Sequence, residues 1–163
     1  MVTEAGIRRV PFNEAKANLS AFVSDVVRRH SPRLLERGGG DPEELLALPA
    51  EDLLAGLAAC RLDASVSTEG NGSVVAHLPR FGLVASGKDF ESSIDALHDE
   101  VLDYCEDFFS DFDFYRHTDR VTHLPFLLRF ALTQPAARRN LLIEEPADWQ
   151  RSRQLEDAAA LAR

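Results

Sequence analysis

The side chains best able to carry chemistry are five histidines, His30, His77, His98, His117 and His123, and none has a second ligand at the spacing of a zinc motif. No Gly-x-Ser-x-Gly elbow, Gly-x-x-x-x-Gly-Lys phosphate loop or dinucleotide fingerprint occurs. His117 could in principle form a nucleolytic pair with Asp119 or His123, but chance pairs are expected where acids are so dense. The acids themselves, Asp99, Glu100, Asp103, Glu106, Asp107, Asp111, Asp113 and Asp119, lie too close on one exposed helix to form a desolvated acid/base couple. The expectation is a protein that is not an enzyme, with no metal and no cofactor. Phe108, Phe109, Phe112, Phe114 and Tyr115 interleave with these acids, and the stretch has two readings. It is either the solvated face of a helix and its exit loop with the aromatics in the core, or a surface that receives a basic partner through charge complementarity and aromatic anchors.

The formal net charge of -9 disfavours nucleic acid as a partner. Its distribution does not. Residues 1–37 hold seven Lys or Arg (Arg8, Arg9, Lys16, Arg28, Arg29, Arg33, Arg37) against four acids (Glu4, Glu14, Asp25, Glu36), a balance of +3 that leaves -12 for the remainder. A basic third joined to an acidic remainder suits a chain whose one end meets phosphate and whose other end meets a cationic partner. Ordinary scatter in an acidic cytosolic protein would look similar.

The elements that position these residues must come from a chain of 163 residues, 45% hydrophobic, enough for one ordinary core or two small ones. Cys60 and Cys105 fall in apolar, helical stretches and suit buried free thiols in a reducing compartment, so cytoplasm is expected. The amino terminus has no apolar h-region, and no apolar run approaches the ~18 residues of a membrane span. No membrane is expected as a partner.

A strand-like segment from Arg8 runs into Asn13, which can cap a helix, with Glu14 near its positive end. One helix should follow, with Ala15, Leu19, Phe22, Val23, Val26 and Val27 facing a core and Lys16, Asn18, Asp25 and Arg29 facing out. His30-Ser31-Pro32 stops it; Arg33 to Arg37 reads as a strand, and Gly38-Gly39-Gly40 as a tight turn. Asp41-Pro42 followed by Glu43 and Glu44 is a good helix start, yet Leu45, Leu46 and Leu48 could cover a core from a strand paired back on residues 33–37. Pro49 to Cys60 reads as a helix.

The run Phe12-Asn-Glu-Ala-Lys-Ala-Asn-Leu-Ser20, then Pro32 to Gly38, then Leu45 to Leu48 with Glu51-Asp52-Leu53, resembles the N-terminal half of the Phd/YefM family of prevent-host-death antitoxins. The resemblance implies the strand at 45–48. It also implies a dimeric module that represses a toxin operon, with later residues wrapping the toxin. The DNA-binding candidates are then Lys16 and Arg37, with Arg8, Arg9, Asn13 and Asn18 nearby. Many members carry Arg at the position of Lys16, and a lysine cannot reproduce the bidentate bond to guanine. A module of about 55 residues is marginal alone, which also favours a homodimer.

Further on, Leu62 to Glu69 and Ser73 to Leu78 form a hairpin about Gly70-Asn71-Gly72, Leu83 to Gly87 adds a third strand, and Asp89 with Glu91 opens a long helix. Its stripe is Ile94, Leu97, Val101, Tyr104, Cys105 and Phe108. Gly72 to Pro79, Gly82 to Gly87 and Phe90 to Leu97 resemble a HicB-like antitoxin fold, and the pairing of the two modules, followed by Arg116 to His123, resembles a group of longer Phd-like antitoxins. Thr122 to Leu132 reads as another strand, and Gln134 onward as helical pieces parted by Glu144-Glu145-Pro146. Asp148 to Arg163 could be partly disordered until bound.

The expected fold is α+β: a Phd/YefM-like β-α-β-β-α module over residues 1–60, a HicB-like β-β-β-α-β module over 61–132 and a helical or partly disordered tail over 133–163. The expected function is a type II antitoxin that neutralises a co-encoded toxin and represses its own operon. Asp107, Phe109, Asp111, Phe112 and Trp149 are the toxin-binding candidates. The alternative is an interaction or ligand-sensing module of the same fold without DNA binding, favoured by Lys16, Glu43-Glu44 and the overall acidity.

Overall fold

Strand β1 (Arg8–Pro11) runs directly into helix α1 (Phe12–Ala17), because Pro11 occupies the cap position with φ -59 and ψ 136. Proline suits that position, since its fixed φ matches and its missing N–H would be unpaired there anyway. The cap is therefore Pro11 and not Asn13, and no side chain bonds the helix start. Nor is there one continuous helix. Asn18 leaves the helical region at φ -128 and ψ 44, and the chain restarts as α2 (Leu19–Arg28). Asparagine tolerates such excursions better than most residues. His30 at φ 46 turns the chain away from α2.

In this computed structural model residues 6–38 and 43–143 are described. The chain divides between Leu57 and Ala58 into two units, each with its own core.

In the first unit, β2 (Arg33–Arg37) pairs parallel with β1, and β3 (Glu43–Ala47) pairs antiparallel with β2, giving the order β1-β2-β3. The register sets Val10 beside Leu35 and Leu35 beside Leu45. A strand at 43–47 thus prevails over a helix started by Asp41-Pro42. Its two glutamates are accommodated by cross-strand cations, Glu44 by Arg9 and Glu43 by Arg37. The expected Gly38 to Gly40 turn and Asp41-Pro42 fall largely on residues 39–42, outside the described residues. Helix α3 (Ala50–Gly56) follows Pro49.

The core of this unit is small: Val10, Ala15 and Leu35, with Phe22 and Ala47 packed on them, while Val26 is buried separately. The expected apolar face of the helix is only half used. Leu19 is 60%, Val23 48% and Val27 49% exposed, and Leu45 and Leu46 do not cover the core but stand at 65% and 48%.

The second unit opens with a meander of β4 (Ser65–Thr68), β5 (Val74–Leu78) and β6 (Leu83–Gly87). Gly72 makes the first turn possible at φ 86, and the Asn71 carboxamide accepts the Ser73 N–H at 2.8 Å. Helix α4 (Phe90–Ser110) lies on the sheet. It starts with a reciprocal capping box: Asp89 accepts the Ser92 N–H at 2.9 Å while Ser92 Oγ accepts the Asp89 N–H at 3.2 Å. That first turn sits so close to the end of β6 that a Cβ at Gly87 would lie 2.5 Å from the Ser93 nitrogen. Ile94, Leu97, Val101, Cys105 and Phe108 of α4 join Leu62, Ala76, Leu78, Leu127, Phe130 and Leu142 in one core.

After α5 (Phe112–Tyr115) and a 3-10 turn (Asp119–His123) comes α6 (Leu124–Leu132), where a strand over 122–132 was expected. Pro125 explains the difference, because it fits a first helical turn but cannot donate to a ladder. Leu127 and Phe130, three apart, are both fully buried. The expected β-β-β-α-β order thus ends in a helix, and the sheet holds three strands among the described residues. Helix α7 (Pro135–Arg138) and a last 3-10 turn (Arg139–Leu141) return to α4, where Arg139 holds Asp95 at 2.5 Å and also bonds Glu91.

Candidate functional site

Each predicted DNA-binding side chain has a definite place on the first unit. Asn13 and Lys16 lie three residues apart on α1, both exposed, so they share one face of that short helix. Arg37 approaches the same face from the end of β2: its guanidinium stands 6.0 Å from the Phe12 ring, at the limit of a cation–π contact, and 3.4 Å from Glu43. Arg8 and Asn18 lie elsewhere, lining a cleft of about 120 Å³ with Glu14, Phe22, Asp25 and Arg33. The charges in that cleft balance, and Arg33 lies within 3.9 Å of Asp25. Arg9 is committed to the sheet, bonding Glu36 and, at 2.9 Å, Glu44. The six candidates therefore separate into a group sharing one exposed face (Asn13, Lys16, Arg37), a pair that is also exposed but lines the cleft (Arg8, Asn18) and one arginine paired within the sheet (Arg9).

Around the C-terminal half of α4, the candidates for a protein partner divide in the same way. Asp107 and Phe109 are exposed. Asp111 is exposed and ends the helix, its N–H bonding the Asp107 carbonyl at 3.1 Å. Phe112 is half-buried, with its ring 5.6 Å from that of Phe108. It works mainly as a core residue. Trp149 lies outside the described residues.

Sequence reasoning missed the surface beside Phe109. Leu102, Cys105, Glu106 and Phe109 at spacings of three and four form one wall of a cleft of about 290 Å³, and Phe130, Ala131 and Arg138 form the other. The helical spacing on α4 was visible in the sequence, but the opposite wall was not, because residues 122–132 read as a strand. Arg138 is fixed by bonds to the carbonyls of Ala131 at 2.9 Å and Thr133 at 3.0 Å. Burial pushes the Cys105 thiol up to about 11, so the thiolate needed for reactivity is scarce near neutral pH.

His30, His117 and His123 have defined polar partners. His123 Nδ1 lies 2.8 Å from the Tyr104 hydroxyl, and burial, aided by the Arg120 charge, pushes its pKa down. His30 is pushed up by a hydrogen bond to Asp52 and by that carboxylate's charge. His117 accepts a bond from Arg116 at 3.1 Å. Among the described residues no group of three His, Cys, Asp or Glu could hold a metal ion, and no helix is long and apolar enough to cross a membrane.

This geometry can be set beside known proteins. No curated protein matches the sequence. Among solved structures, a crystal structure described as an antitoxin part of a toxin/antitoxin system from Syntrophomonas wolfei subsp. wolfei superposes with a TM-score of 0.74 at 24% identity, covering 83% of this chain and 96% of that one. That likeness shows a shared α+β fold. A family model described as antitoxin of toxin-antitoxin, RelE/RelB, matches residues 7–144, most of the chain. The protein therefore belongs to the PHD-like family of antitoxins of toxin–antitoxin systems.

Proposed function

We propose that this antitoxin acts by binding alone, as a homodimer whose first unit represses its own operon and whose second unit neutralises a co-encoded toxin. In finer terms the first unit is a Phd/YefM-like module and the second a HicB-like one that has exchanged its last strand for a helix. The observation that carries the reading is the exposed stripe Leu19, Val23 and Val27, at spacings of four along α2. Three large apolar residues in line on so small a unit suit burial against a second copy. Pairing would double the exposed Asn13, Lys16 and Arg37 group, supplying two sets of contacts to operator DNA. The cytoplasm is the compartment in which such a protein meets its operator.

A second reading rests on the sheet ion pairs. Arg9 is neutralised by Glu36 and Glu44, and Arg37 faces Glu43, which lowers the net attraction for phosphate. On that reading the first unit only dimerises, and the protein is an interaction or sensing module.

The test is a plasmid carrying the adjoining reading frame under an inducible promoter together with a reporter driven by the native upstream region. The wild-type protein should restore growth and silence the reporter. Growth restored with the reporter still active would favour the second reading; neither effect would overturn both.

A further inference from the structure

We propose that the cleft between α4, α6 and α7 is the anchor site for a cationic amphipathic helix of the toxin, one of whose large apolar side chains enters it. The proposal rests on the toxin-neutralising reading and names the place and chemistry of contact. At about 290 Å³ the cleft falls just below the ~300–1,000 Å³ of small-molecule sites, so a single side-chain anchor suits it better than a cofactor-sized ligand. The wall residues Leu102, Cys105 and Phe109 occupy one stripe of α4, so the groove follows a helix, the shape that receives another helix.

Charge decides among occupants. On a helical projection Glu106 borders the apolar stripe, Asp103 lies next to it, and Asp107 follows further round on the solvent face. Among the described residues none of the three is in an ion pair, whereas Asp95 and Glu91 at the other end of α4 are held by Arg139. A row of unneutralised carboxylates beside an apolar slot fits Lys or Arg flanking a hydrophobic anchor. The same unit of a second copy would fit poorly, because residues 58–143 hold thirteen acids against eight Lys or Arg and like charges would meet. Arg138 keeps its charge on the opposite wall, but among the described residues it makes no ion pair with these carboxylates: it bonds two backbone carbonyls and lies 5.5 Å from the Phe130 ring.

The test is the affinity of the full chain for the purified product of the adjoining reading frame, measured by biolayer interferometry at two salt concentrations. Ala131→Trp fills the slot, and Asp103→Lys/Glu106→Lys reverses the charge beside it without touching the core. Glu69→Lys is the control, an exposed acid of the same unit outside the cleft. Both cleft variants should bind at least ~10-fold more weakly, the control within about 2-fold of wild type, and wild-type binding should weaken with salt. Wild-type affinity retained in both cleft variants would overturn the cleft proposal and leave the antitoxin reading intact. No binding by the wild type would overturn both. Loss of a dimer in Ala131→Trp, with toxin binding unchanged, would assign the slot to a second copy and likewise overturn the proposal.

Discussion

Single residues carry two separable expectations. Gly87 ends β6 where α4 begins, and an added methyl would meet the backbone of Ser92 and Ser93, which cannot rotate away as a side chain could. Gly87→Ala should destabilise the second unit by roughly 1–3 kcal/mol, read as a lowered thermal midpoint by circular dichroism. The second expectation concerns pH. The His30 pKa is raised by Asp52, so protonation favours the folded state. That contribution is fully present below the ordinary histidine value of about 6.5 and is lost as pH rises through the raised folded value. For His123 the sign is opposite: burial lowers its pKa, so its contribution is present above about 6.5 and is lost as pH falls toward the lowered folded value. Melting curves across this window should lose one slope in His30→Gln and the opposite slope in His123→Gln.

At the scale of elements, α2 is the one whose sequence pattern outruns the single chain. Of the six positions expected to face a core, Ala15 falls on α1 and five on α2, and of those five Leu19, Val23 and Val27 remain exposed. Val23→Arg should leave the fold of the unit intact and shift the protein from dimer to monomer in sedimentation equilibrium. A dimer unchanged by it would place the interface elsewhere. The strands β1 and β2 and the meander with its covering helix were legible from turn residues, alternation and a capping Asp89, whereas β3 was legible only through the family resemblance, because Asp41-Pro42 with Glu43 and Glu44 pointed to a helix start. What was not legible had physical causes. The break at Asn18 is a local backbone excursion that leaves the apolar period almost undisturbed. Helix α6 is nine residues with a continuous apolar run, LPFLLRFAL, which suits a buried strand as well as a buried helix until the place of Pro125 is weighed. That one error hid half of the cleft beside Phe109. Likewise Phe112 read as a surface anchor because sequence spacing alone does not separate it from Phe109, whereas its contact with Phe108 draws it inward.

At the scale of the whole molecule, the uneven charge is the feature that joins the sequence to the proposed division of labour. The basic excess of residues 1–37 is partly spent within the sheet, where Arg9 pairs with Glu36 and Glu44; Lys16 is exposed beside Asn13, and Arg37, exposed on the same face, is offset in part by Glu43. The acidic excess lies beyond it, and along α4 it borders an apolar cleft. The central claim is that the first unit binds operator DNA as a dimer, and fluorescence anisotropy of a labelled fragment from upstream of the gene tests it most directly. Wild type and a Lys16→Ala/Arg37→Ala variant would be titrated over a range of salt. The account predicts specific binding that falls steeply with salt, and a variant whose salt slope is smaller by roughly 3 to 4, as expected for four phosphate contacts removed from a dimer. Binding with no preference over random DNA even at low salt, or a variant indistinguishable from wild type, would contradict it.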